Sequence, residues 1–148
     1  MNKVIRYTIA YGMWIADLGL SAWLFFISRT GFLATLALFY EPGDLQYSHA
    51  ANLIDKIFTV VLGLGWLVFS IVTEEKYRTS APEENLLKCF AKYTGPVLLC
   101  IFFVDLMLFW LGGIGGDNWL RWLILAAELG IGIALVLSGK SKSTNKSN

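Results

Sequence analysis

The sequence is short of what a soluble enzyme builds its surface and its chemistry from. Charged residues make up only 16% of its 148 positions, and there is a single histidine, His49. One histidine excludes a bis-histidine haem within the chain and leaves zinc without its usual ligand set, so neither a metal nor a cofactor is expected. Cysteine is nearly as scarce. Cys89 and Cys100 are the only two, and eleven helical positions would hold them about 16 Å apart, too far for a disulfide. No nucleophile–base pair, HExxH word or Cys/His cluster is present, so no catalytic residue is nominated. The net charge of +1 argues neither way about nucleic acid, and with no motif for it none is expected as a partner.

What the chain has in excess is apolar. It is 56% hydrophobic and 15% aromatic, with a mean hydropathy of +0.59. A soluble domain of this length needs far more polar surface, so the composition points to a membrane. Four stretches approach the roughly 20 residues that cross a bilayer: about 7–28, 52–73 (its most apolar part 57–73), 96–112 and 119–138. The first follows Lys3 and Arg6 like a signal sequence. Its apolar run is too long, with no small-x-small cleavage site, and reads as an uncleaved anchor. The expected fold is therefore all-α, a polytopic bundle of four transmembrane helices.

Charge orients it. Lys3, Arg6, Lys76, Arg78, Lys88, Lys92, Lys140, Lys142 and Lys146 fall on one side of the four crossings, and only Arg29, Lys56 and Arg121 on the other. Nine against three places both termini in the cytoplasm, and four crossings satisfy that parity. The expected location is a bacterial cytoplasmic membrane, with an organellar membrane as the alternative.

The connections differ in character. Residues 31–40 are apolar but too short to span, about 15 Å as a helix, and read as an interfacial segment on the outer face. Ser80-Ala81-Pro82-Glu83 is a capping-box pattern that would start a cytoplasmic surface helix over 82–93. Gly95-Pro96 is then expected to kink or break the chain ahead of the third span. Gly112-Gly113-Ile114-Gly115-Gly116 lacks the preceding strand and the Lys-Ser/Thr of a phosphate loop, so a tight hairpin turn is expected, with Asp117 or Asn118 capping the last helix. Residues 139–148 form a Lys/Ser/Asn-rich tail, expected to be disordered and near anionic headgroups. Asp17-Leu-Gly-Leu and Asp105-Leu-Met-Leu, with Leu62-Gly-Leu-Gly and Leu129-Gly-Ile-Gly, form a faint internal repeat of the kind seen in parallel transporter halves.

The candidate functional residues are three intramembrane acids, Asp17, Asp105 and Glu128. No basic residue lies in 7–28, in 96–112 or between Arg121 and Lys140. An acid at the centre of a helix costs about 2.5–3.5 kcal/mol on insertion scales, so each needs compensation. Counted from the start of their spans by helix rise, all three fall about 13–15 Å deep, near the midplane, and would form one acidic layer. Four compensations compete: protonation, a cation from a partner helix, a proton or cation path, and a cationic or polyol ligand. Asp55, beside Lys56, is expected to form an exposed ion pair or cap.

Small residues mark faces where helices can meet closely: Gly12 and Ala16 in the first span, Thr59 and Gly63 in the second, and Ala126, Gly130 and Ala134 in the fourth. Glu128 lies about 160–200° around its helix from Ala126 and Gly130. If the small face packs inward, Glu128 would point to a partner. Trp119 and Trp122, with Trp23 and Trp110, suit the outer aromatic belt, whereas Trp14 and Trp66 lie deeper and read as core packing or lipid contacts. Together these features lead to an expected function as a non-catalytic accessory subunit of a larger membrane complex, docked through its acids and small-residue faces. A small oligomeric proton- or cation-coupled transporter or channel using the acidic layer is the alternative, and a membrane-embedded ligand pocket or enzyme is the third reading. The expected partners are membrane lipid and either a different membrane subunit or further copies of the same chain.

Overall fold

The computed structural model describes residues 3–38, 45–82, 86–111 and 119–140, without the side chains of 45–48. The described residues form four α-helices: α1 (Lys3–Leu38), α2 (Leu45–Ser80), α3 (Leu86–Leu111) and α4 (Trp119–Lys140). All four are long and apolar enough to cross a bilayer, and the fold is an all-α membrane bundle. The expected hairpin turn at 112–116, the caps at Asp117 and Asn118, Glu83 of the capping box and residues 141–148 of the tail lie outside the described residues.

Two helices run further than the sequence pattern indicated. The segment from Gly31 onward is not separate from the first span, because α1 continues unbroken to Leu38. Nothing in Arg29–Leu38 stops a helix, and the extension has a neighbour. Gly31 faces α3, where a Cβ would sit 3.6 Å from Val104 and 3.8 Å from Leu108. Phe32 stacks on Phe58 of α2, with ring centroids 4.1 Å apart. Likewise no break separates a surface helix from the third span. Ala81 and Pro82 form a turn closed by the Ala81 amide on the Tyr77 carbonyl (3.0 Å), and α3 then runs from Leu86 through Pro96. Proline is tolerated here because neighbouring helices brace it. The α4 backbone presses on Gly95, where a Cβ would lie 3.0 Å from the Val136 amide nitrogen.

The helices pack in the order α2–α1–α3–α4. α1 lies between α2 and α3, α2 touches α3 lightly, and among the described residues α4 packs on α3 alone. The α3–α4 contact is the closest in the molecule. Cβ atoms at Gly95, Gly132 and Gly139 would meet the opposite helix at 2.9, 2.9 and 3.3 Å. Without water to drive apolar surfaces together, such close backbone approach is what holds helices in a membrane. Two small cores complete the packing. Ala10, Tyr77, Ala81 and Leu86 meet at the lysine-rich end, and Ile27, Val97 and Ile101 meet deeper, between α1 and α3.

Candidate functional site: the intramembrane acids

Asp17 is fully buried where three helices meet. Its two carboxylate oxygens accept hydrogen bonds from the Tyr77 hydroxyl of α2 and the Thr94 hydroxyl of α3. Among the described residues it forms no ion pair. Among the described residues these two hydroxyls are its side-chain partners, and hydrogen bonds to an ionised carboxyl are roughly twice as strong as neutral ones. Further polar contacts run up the α1–α2 seam from this point. Trp14 donates through Nε1 to the Ser70 carbonyl (3.3 Å). Trp66 donates to the Ser21 hydroxyl (3.1 Å), which itself donates to the Leu18 carbonyl (3.0 Å). Trp14 and Trp66 are thus half-buried packing residues that also bond.

The three acids do not form one layer. Asp17 bonds Thr94, and Asp105 lies eleven residues further along α3, about 16 Å away by helix rise. Tyr77 stands between Lys76 and Arg78, and Thr94 two residues past Lys92, so Asp17 belongs near the lysine-rich boundary rather than the midplane. The depth count fails because it started both helices at the edge of the apolar run. α1 and α3 begin earlier and already pack against each other there.

Asp105 and Glu128 come together instead, across the α3–α4 contact. Their carboxyl groups lie within hydrogen-bonding reach of each other, and the charge of Arg121 acts on Asp105. One Glu128 oxygen, Oε2, is buried and has no hydrogen-bond partner. Two adjacent carboxyls can hydrogen-bond only through a proton that one of them carries; otherwise they repel or hold a cation between them. This pair is therefore chemically distinct from Asp17, whose oxygens are both satisfied by neutral donors.

Glu128 faces inward because the side of α4 that meets α3 carries Leu125, Glu128, Leu129, Gly132, Val136 and Gly139, all buried or half-buried. The small face on the opposite side of the helix is accordingly outward, and Ala126, Gly130 and Ala134 are exposed. Gly12 and Ala16 are exposed as well, and Thr59 and Gly63 are half-buried. A Cβ at Gly12, Gly63 or Gly130 would meet nothing within 4 Å. Among the described residues the glycines that pack against a neighbouring helix are Gly31, Gly95, Gly132 and Gly139 instead.

Asp55 pairs with a residue the sequence did not indicate. Arg29 of α1 grips it in a two-pronged ion pair, Nε to Oδ1 at 2.9 Å and Nη2 to Oδ2 at 2.7 Å, and Lys56 takes no part. The pair ties α1 to α2 on the side opposite the lysine-rich end. Tyr77 and Thr94 also escaped sequence reasoning. Both lie just outside the apolar runs, among charges or beside Gly-Pro, where a polar residue attracts no notice. A signal was present nonetheless: Trp66, Ser70, Thr73 and Tyr77 recur at four, three and four positions, a polar stripe down one face of α2.

Among the described residues no three His, Cys, Asp or Glu side chains gather as a metal site would require. Beside Ser21 and Trp66 an apolar cleft of about 430 Å³, lined also by Leu24, Phe25, Leu62 and Phe69, opens between α1 and α2. Compared with models of protein families, with curated proteins and with solved structures, the chain matches none.

Proposed function

We propose that the protein is a non-catalytic integral membrane subunit that associates laterally with another membrane-spanning chain, a different subunit or a second copy. The observation that carries this reading is the state of α4. Among the described residues one neighbour holds it, and its run of small residues, Ala126, Gly130 and Ala134, faces away from that neighbour. A small-xxx-small face allows two helix backbones to approach closely. The acids take a different part in this reading from the one their sequence positions indicated. Asp17 joins three helices of its own chain, and Asp105 and Glu128 face each other, so docking falls to the small-residue faces.

Gly130→Leu with Ala134→Leu tests it. The expected result, after gentle-detergent purification from native-level expression, is that the variant loses a co-purifying chain or its own oligomer, while Ile131→Leu beside it does not. Retention of every partner by the bulky variant refutes the reading.

A second reading rests on Glu128 Oε2, which is buried and unpaired beside Asp105. That arrangement supports a proton- or cation-coupled transporter or channel working through this pair rather than through a three-acid layer. It requires acid-dependent flux from the purified protein in liposomes, abolished by Glu128→Gln. Such flux would displace the subunit reading.

A further inference from the structure

At the lysine-rich end, three basic side chains from two helices converge on one cleft. Lys76 on α2 and Lys88 and Lys92 on α3 line a hollow of about 180 Å³, with Ser80, Cys89, Tyr93 and Gly139. Lys88 and Lys92 are one turn apart and so share a face of α3, and Cys89 between them feels the charges of Lys92 and Lys76 as well as the buried Asp17 carboxyl. The close seat of Gly139 on Lys92, with a Cβ only 3.3 Å from its Cα, brings the end of α4 in as a wall. None of the three lysines has an ion-pair partner among the described residues, and no acidic residue lines the cleft. Every polar side chain in it can donate a hydrogen bond: three ammonium groups, the Ser80 and Tyr93 hydroxyls and the Cys89 thiol.

Three converging positive charges, with no acidic side chain lining the cleft among the described residues, specify an anion. The level of the cleft specifies its source. Lys76 follows the apolar run 57–73 by three residues, and Lys92 precedes the run 96–112, so the ammonium groups stand where the hydrocarbon ends and lipid phosphates begin. Residues 141–148 contain Lys142 and Lys146 and no acidic side chain. We propose that this cleft binds the phosphate headgroup of an anionic phospholipid of the adjoining leaflet. Basic pockets between transmembrane helices at this level have the chemistry for such headgroups.

The test is native mass spectrometry of the full chain released from micelles doped with phosphatidylglycerol, phosphatidylcholine or inorganic phosphate. The expected result is one phosphatidylglycerol retained in preference to phosphatidylcholine. A basic residue near an anionic surface contributes about five-fold in affinity, so Lys76→Gln, Lys88→Gln and Lys92→Gln together should weaken retention on the order of 100-fold. Arginine at the same three positions should preserve it. Glutamine at Lys140, Lys142 and Lys146 removes equal charge outside the cleft and should leave retention near the parent level. Equal weakening by the tail variant reduces the effect to general surface charge and overturns the site. Equal retention of phosphatidylcholine overturns it too, and displacement of the lipid by inorganic phosphate assigns the cleft to a soluble anion. Should the glutamine variant fail to fold, the arginine variant and the lipid comparison still decide.

Discussion

Whether Asp17 is held by Tyr77 and Thr94, or merely sits beside them, is open to a direct energetic measurement. Tyr77→Phe removes one hydroxyl and leaves the ring that packs against Ala10, Ala81 and Leu86, so little but the hydrogen bond is lost. Thr94→Val does the same on α3, nearly isosterically. Hydrogen bonds to charged groups contribute about 1.5–3 kcal/mol in soluble proteins, whereas interhelical bonds in a membrane protein average about 0.6 and reach about 1.7. Asp17 is fully buried and, among the described residues, accepts from these two donors, so each loss should fall near the upper membrane figure, about 1–2 kcal/mol. That is a factor of roughly 5–30 in the folding equilibrium. The informative experiment is a double-mutant cycle with Asp17→Leu, read by reversible unfolding in mixed micelles. With the carboxyl gone, Tyr77→Phe should become nearly neutral, giving a coupling energy of about 1 kcal/mol or more. If Tyr77→Phe costs the same in both backgrounds, the hydroxyl acts independently of Asp17. A cost below about 0.3 kcal/mol in the parent protein would equally defeat the argument, since the carboxyl would then have another source of compensation.

Two further outcomes follow from the packing. Gly95→Ala drives a Cβ to 3.0 Å from the Val136 backbone nitrogen, which cannot swing aside, and should lower stability by about 1–3 kcal/mol. Gly132→Ala meets the end of the Leu99 side chain and should cost less, while Gly130→Ala, with nothing within 4 Å, should leave the thermal midpoint in detergent unchanged or raise it. At the other end, reversing either Arg29 or Asp55 alone should lower the thermal midpoint by placing like charges together. Exchanging both, Arg29→Asp with Asp55→Arg, should recover most of the loss, and failure to recover would mean that the pair does not join α1 to α2.

Much of the architecture was legible because the bilayer leaves so few options. Long apolar runs must become helices there, since no other open backbone satisfies its own hydrogen bonds, and four runs became four helices. Helix ends were less legible. A breaker such as Gly95-Pro96 acts according to what packs on it, and α4 braces the chain at that point. The site was only partly legible for a similar reason. Asp17, Asp105 and Glu128 stood out by their cost in an apolar run. Tyr77 and Thr94, which resolve that cost for Asp17, lie where polar residues are ordinary.

Hydropathy and charge in the chain alone were enough to establish a membrane protein of four helices, and to single out three acids that need an answer. They also established the angle of about 160–200° between Glu128 and its small-residue face. Helical periodicity sets angles within one helix, but it cannot say which side of that helix meets a neighbour. That was decided by the fit of Gly95, Gly132 and Gly139 between α3 and α4, where backbones approach more closely than any side chain allows. The same fit turns Glu128 toward Asp105 and Gly130 outward. The relative height of α1 and α3, set by contacts between helices and absent from either helix alone, keeps Asp17 apart from the other two acids.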